Sequence, residues 1–285
     1  MNPPAARAKP KYRGRLAPSP TGFLHLGHAR TFWTAQQRAR RQGGVLVLRN
    51  DDMDAARFKM EFVDAMLEDL RWFGFEWSEG PDIGGPFAPY NQSDRMDHYR
   101  AALEKLRDGN FIYPCTCSRK DILTAVTAPH AADEEAIYPG TCRENRKPET
   151  GNRKFNWRFR VPDPEAISFC DENLGEQKFV AGKDFGDFVV WRQDDVPAYQ
   201  LACAVDDAAM QITEVVRGAD LLASTARQIL LYRALGLRPP RFFHCELLRD
   251  ERGVRLAKRH DALSLRTLRA QGIPAVTLRP GGGVV

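Results

Sequence analysis

The chain has 285 residues, 43% of them hydrophobic and 28% charged, a globular composition that excludes a disordered or collagenous protein. The 42 Lys and Arg exceed the 37 Asp and Glu by only +5, so the charge permits a polyanionic partner without requiring one. The basic start MNPPAARAKPKYRG lacks the apolar segment of a secretory leader, and no later run is long enough to span a bilayer; no membrane association and a cytoplasmic location are expected.

In chain order, RLAPSPTGFLHLGH (Arg15 to His28) reads as a constrained turn. Pro18 and Pro20 restrict the backbone, while Gly22 and Gly27 allow a ligand or another segment to come close. HARTFWTAQQRARRQG predicts a helix that stops at Gly43-Gly44, and VLVLR (Val45 to Arg49) has the apolar, β-branched texture of a buried parallel strand. FKMEFVDAMLEDLRWFGF predicts a second helix broken at Gly74, and SDRMDHYRAALEKLRDGN a third with Ser93 as N-cap and a stop near Gly109. From Phe111 to Gly186 cysteines, Pro-rich turns and the alternating WRFRV (Trp157 to Val161) suggest a small inserted β-containing module. Strand and helix texture resumes in DFVVW, YQLACAVDD, ITEVVRG and STARQILLYRALG, followed by the strand FFHCELL and the charged loop RDERGVRLAKRH. The tail IPAVTLRPGGGVV has little to bury and is expected to fray. Strands alternating with helices argue an α/β fold on an open sheet, with an expected division into 1–110, an insertion at 111–186, and 187–285.

Two clusters carry chemistry. In the first, His25 and His28 precede a helix, so two imidazoles and a helix N-terminus surround one spot suited to phosphate. Spacing alone leaves satisfied loop histidines or metal ligands as alternatives. In the second, Cys115-Thr116-Cys117 and Cys142 offer three thiols for a tetrahedral metal, against the simpler reading of free thiols in a reducing compartment. His130 lies between them in sequence. Cys170, Cys203 and Cys245 read as buried small hydrophobes.

RLAPSPTGFLHLGHAR closely resembles the signature of the class I aminoacyl-tRNA synthetases of the glutamyl branch, whose HIGH motif is here His25-Leu26-Gly27-His28. The second signature of that class, a KMSKS-type loop, is matched by Arg255-Leu256-Ala257-Lys258-Arg259, and LRNDDMDAAR, YQLACAVDD and ITEVVRGADLL follow the family's order. The resemblance implies a Rossmann-like catalytic domain carrying a small zinc-bearing insertion. Full-length members continue into helical anticodon-binding domains, whereas this sequence has 27 residues after Lys258. It therefore resembles the short, free-standing paralogue, which implies activation of L-glutamate with ATP and Mg2+ and transfer to queuosine in tRNA(Asp). A monomer is expected.

Residue by residue, the resemblance places His25, His28 and Lys258 along the ATP phosphates, where positive groups offset the charge that builds during adenylate formation. It assigns glutamate binding to Arg15, Leu16, Ala17, Pro18, Ser19, Asp51, Tyr199 and Arg217, with guanidinium groups naming the side-chain carboxylate. It assigns the Zn2+ site to Cys115, Cys117, Cys142 and Tyr138 as the fourth ligand. Asp51 stands where the family commonly has Glu, and Ala257 where it has Ser. Two rival readings follow: a truncated glutamyl-tRNA synthetase charging tRNA(Glu), and a degenerate paralogue that only binds RNA or nucleotide.

Overall fold

The computed structural model describes residues 11–118, 120–122, 137–144, 154–247 and 264–280. Its contacts group the chain into two compact units, one formed by Met1–Tyr90, Gln211–Arg217 and Leu247–Val285, the other by Asn91–Met210 and Gly218–Glu246. The expected boundaries at 110/111 and 186/187 both lie inside the second unit.

The first unit is built on a parallel pair. Strand β1 (Arg13–Leu16) runs beside β2 (Val45–Leu48), in register from Arg13 opposite Val45 to Leu16 opposite Leu48. Parallel strands need a crossover, and helix α1 (Leu26–Arg41) supplies it. Its buried face is Ala29, Phe32, Ala35, Gln36 and Ala39, the spacing of one helical stripe. Arg38, Arg40 and Arg41 occupy the last turn, where the helix dipole favours cations. Arg38 forks onto Glu214 at 2.7 and 2.8 Å, and the Tyr12 hydroxyl donates to the same carboxylate at 2.8 Å. That anchors α1 to the segment preceding and including β8 (Glu214–Gly218), where the Thr213 N–H also bonds the Arg13 carbonyl.

On the other side of β2, the Leu48 N–H donates to the Glu79 carbonyl and the Ser78 N–H to the Leu46 carbonyl. The Glu79 carboxylate receives Arg13 at 2.7 and 2.9 Å and the Tyr90 hydroxyl at 2.7 Å. The Arg13 bonds, against the opposing effect of burial, hold Glu79 below its ordinary 4.5, while burial and then Glu79 itself push Tyr90 up to about 12. Glu79 therefore contributes stability that is present above pH 4.5 and is lost as pH falls through its lower folded value; Tyr90's contribution is present below 10 and is lost as pH rises toward about 12. Glu79→Gln is expected to cost about 1–3 kcal/mol near neutrality and to flatten the fall in urea midpoint below about pH 5. An unchanged acid limb in the variant contradicts this assignment.

Helix α2 (Met60–Phe73) closes on Gly74, whose φ of 96° is the left-handed conformation that glycine adopts at least cost. The tail does not fray over its described part. Beyond α6 (Leu265–Ala270) and α7 (Ala275–Leu278), the Arg279 guanidinium bonds the Phe73 carbonyl at 2.9 and 2.6 Å and lies 4.6 Å from the Trp33 ring centroid. One cation thus satisfies a helix-end carbonyl and covers an indole, an attachment that chain-end composition conceals.

In the second unit, α3 (Met96–Asp108) precedes β3 (Ile112–Cys115), which pairs antiparallel with β4 (Asn156–Phe159), itself paired with β7 (Phe188–Trp191). A hairpin of β5 (Ala166–Asp171) and β6 (Gly175–Val180) has β9 (Arg241–Cys245) parallel to β5. Helices α4 (Tyr199–Ala209) and α5 (Leu222–Leu235) pack against each other. Ser93 is not the N-cap of α3: it lies within a 3-10 turn, Gln92–Arg95, and Arg95 holds the cap position. Tertiary bonding overrides the local cap, because Gln92, Arg95 and Tyr99 all converge on buried Asp206 at 2.7 to 2.8 Å. His244 donates its Nδ1 proton to Asp171 at 2.6 Å and places Nε2 3.0 Å from Thr225 Oγ1. With all three residues buried, this triad is a staple between β9, β5 and α5. Cys203 is buried as expected, Cys245 is half-buried, and Cys170 is exposed on β5, whose strand alternation turns it outward.

Candidate active site

The turn after β1 is held by a continuation of the parallel ladder. The Arg49 N–H donates to the Leu16 carbonyl at 2.8 Å, and the Asp51 N–H to the Pro18 carbonyl at 3.0 Å. Residues 15–19 and 49–51 therefore lie side by side, and the ends of two parallel strands are where open α/β folds place ligands. Arg15 is 4% exposed and donates from Nη1 to the Val216 carbonyl at 3.2 Å, which sets it beside the segment carrying buried Arg217. Leu16 and Pro18 are buried, Ala17 is half-buried and Ser19 is exposed.

Asp51 is not an open carboxylate. Arg49, fully buried, grips it from Nε at 2.6 Å and from Nη2 at 3.1 Å. This grip fixes the orientation of the Asp51 carboxylate. Arg49 stands outside the set of residues assigned from sequence. Its position two residues before Asp51, directly after the apolar run of β2, was the available signal.

His25 caps α1: its Nδ1 accepts the Gly27 N–H at 3.1 Å. The neutral ring therefore carries its proton on Nε2. The His28 ring stacks on it with centroids 3.7 Å apart and planes 26° from parallel. No acidic residue occupies the first turn of α1, so the positive end of the helix dipole is not offset by its own sequence. The backbone at His25 pairs with Ser264, and the Leu265 N–H donates to the Leu24 carbonyl at 2.7 Å. Ser264 in turn caps α6 through the Thr267 N–H at 3.1 Å. Lys258 and Ala257 lie outside the described residues, as does His130. Tyr199, 42% exposed, opens α4 in the second unit.

The cysteine cluster is assembled. The sulfur atoms of Cys115, Cys117 and Cys142 all lie within 4.8 Å of one another. Cys117 and Cys142 are 3.6 Å apart, and the Tyr138 oxygen is 3.3 Å from Cys115 Sγ and 3.5 Å from Cys117 Sγ. A tetrahedral ion with bonds of about 2.3 Å to sulfur and about 2.0 Å to oxygen requires sulfur–sulfur separations of about 3.8 Å and sulfur–oxygen separations of about 3.5 Å. The residues fit such an ion. Burial pushes the Cys117 thiol up to about 11 and raises Tyr138; at Cys142 burial acts in the same sense, but bonds from Tyr138 and the Thr116 backbone outweigh it and lower the thiol.

A family model for the catalytic domain of the class I tRNA synthetases for E and Q matches residues 11–281. The chain belongs to this family. The match runs through the tail beyond Leu268. This synthetase is 48% identical over 272 residues to a protein of Nitratidesulfovibrio vulgaris named glutamyl-Q tRNA(Asp) synthetase, covering 93% of this chain and 83% of that one. It is 49% identical over 271 residues to one of the same name from Symbiobacterium thermophilum, with the same coverage. Curated glutamate–tRNA ligases match at 40 to 42%, and the chain spans 55 to 57% of their length. The solved glutamate–tRNA synthetase of Elizabethkingia anophelis superposes with a TM-score of 0.78 at 32% identity, over 87% of this chain and 53% of that one. The chain is thus a ligase of the aminoacyl-tRNA synthetase type with the α/β catalytic fold of its class. No described helix is long and apolar enough to cross a membrane.

Proposed function

We propose that this synthetase activates L-glutamate with ATP in the cytoplasm and transfers the glutamyl group to the queuosine base of tRNA(Asp). The observation that supports the reading is the side-by-side run, past the ends of β1 and β2, of the segment after buried Arg15 and the segment bearing the Arg49-gripped Asp51, in a unit that also holds the histidine-capped start of α1. An oxygen of the glutamate α-carboxylate attacks the α-phosphorus of magnesium-bound ATP, the bond to the β-phosphate oxygen breaks, and pyrophosphate leaves. Arg15 and Arg217 name the side-chain carboxylate by charge-assisted forks, Asp51 draws the ammonium, and residues 16–19 line the pocket with main-chain groups and the Ser19 hydroxyl. The family resemblance adds Tyr199 to the glutamate-binding residues.

The α1 start, His25 and His28 face the phosphates. The resemblance assigns Lys258, outside the described residues, to the same phosphates. The adenylate then passes its acyl group to the RNA and releases AMP. Cys115, Cys117, Cys142 and Tyr138 hold zinc, which supplies a rigid cross-link for their loop. The acceptor is favoured by the higher identity to the relatives named for tRNA(Asp), 48 to 49% against 40 to 42% for the glutamate–tRNA ligases.

Isotope exchange of pyrophosphate into ATP, dependent on glutamate and run without RNA, tests activation. Glutamate transfer to queuosine-containing tRNA(Asp) against tRNA(Glu) tests the acceptor. Exchange together with labelling of the first RNA alone is the expected result. Absent exchange identifies a binding paralogue and overturns the enzyme, while labelling of tRNA(Glu) alone overturns the acceptor.

A further inference from the structure

We propose that Arg158 is the counter-cation of the thiol-rich metal site and the clamp that holds Tyr138 as its fourth ligand. The inference rests on the zinc reading above and concerns a residue outside the ligand set. Arg158 sits on β4 opposite Tyr113 of β3 and is 7% exposed. Its Nε–H points at Cys115 Sγ at 3.2 Å, its Nη1 donates to the Asp187 carbonyl at 3.0 Å, and its guanidinium carbon lies 4.0 Å from the Tyr138 ring centroid.

Among the described residues no carboxylate pairs with Arg158. The nearby Asp187 carboxylate is taken by Arg143 at 2.6 Å, the Tyr113 hydroxyl at 2.6 Å and the Val161 N–H at 2.8 Å. A guanidinium buried without a counter-charge is costly. Three thiolates around a divalent ion carry one net negative charge, and Cys115 presents that charge directly to Arg158. The apolar surroundings, Tyr113, Cys115, Tyr138 and Cys142 with Cys117 and Ile122 packed against them, strengthen the attraction.

The same side chain addresses the weakest ligand. Tyrosine oxygen competes poorly with thiolate for a borderline-soft ion, so its position has to be imposed by the protein. Arg158 covers the ring face, and the Cys142 N–H donates to the Tyr138 oxygen at 2.9 Å. The ring is thus fixed at its face and at its oxygen, with that oxygen turned to the sulfur atoms. Arg158 is a positioning residue that acts through the ligands.

The test measures zinc affinity of the full chain by competition with a chromophoric chelator, together with the charge-transfer bands of the cobalt-substituted protein. Arg158→Gln is expected to bind zinc about 10–100-fold more weakly and to shift the cobalt bands. Arg158→Lys, which keeps the charge and loses the planar stack, falls between the two and decides the matter if the Gln variant does not fold. In the double variant with Tyr138→Phe, the two losses sum to less than their separate values, because part of the Arg158 effect passes through Tyr138. Wild-type affinity in a folded Arg158→Gln or Arg158→Lys protein overturns this inference alone. A wild-type chain that takes up no zinc overturns the metal reading and this inference with it.

Discussion

Arg15→Ala is expected to lower glutamate-dependent pyrophosphate exchange about 100- to 10,000-fold, with the loss concentrated in kcat/KM for glutamate and little change in KM for ATP. Two hydrogen bonds between charged groups in a buried site contribute about 1.5–3 kcal/mol each, and about 1.4 kcal/mol is a factor of ten. Arg15→Lys restores less than about tenfold of this, since an ammonium supplies charge without the planar fork. The side chain is 4% exposed and its Val216 bond contributes to the fold, so denaturation of both variants separates a binding loss from a folding loss. Exchange that keeps its normal KM for glutamate in a folded Arg15→Ala protein contradicts the proposed role.

Asp206→Ala is expected to be the most destabilising single change in the second unit, costing about 3–5 kcal/mol in urea unfolding. Asp206 is fully buried and receives Gln92, Arg95 and Tyr99 together. Removing it strands a guanidinium that is itself 2% exposed and leaves an amide and a phenol without that acceptor. Asp206→Asn keeps an acceptor oxygen and loses the charge, so its cost is expected to be smaller, about 2–3 kcal/mol. A loss below about 1 kcal/mol in Asp206→Ala shows that Arg95 finds another partner.

What sequence conveyed here was mainly local. The apolar stripe of α1, the β-branched run of β2 and the stop at Gly74 are each set within a few residues, and each formed at the expected place. Cys115, Cys117 and Cys142 announced themselves by residue type, and their sulfur atoms come together. The features that escaped depend on distant partners. Ser93 has the chemistry of a cap, yet Asp206 more than a hundred positions away decides how that turn is built. Arg279 sits in a tail of poor composition, yet finds a helix-end carbonyl 206 positions earlier. Arg158 left a trace: alternation in WRFRV puts a charged residue in a strand rich in aromatics, and an inward-facing charge needs a partner. Only the fold identifies that partner as a cysteine.

The ladder that carries Arg49 onto Leu16 and Asp51 onto Pro18 also bears on how this corner can evolve. The two bonds have matched two-residue spacing on both segments, so inserting or deleting a single amino acid between Leu16 and Pro18 would leave Asp51 without its backbone partner while Arg49 keeps its own. Side-chain length is the freer variable: aspartate for glutamate at 51 alters reach by one methylene and leaves every backbone bond intact. Variation among kindred sequences at this corner is thus expected as substitutions without indels, and a one-residue indel introduced there should silence catalysis in a protein that still folds.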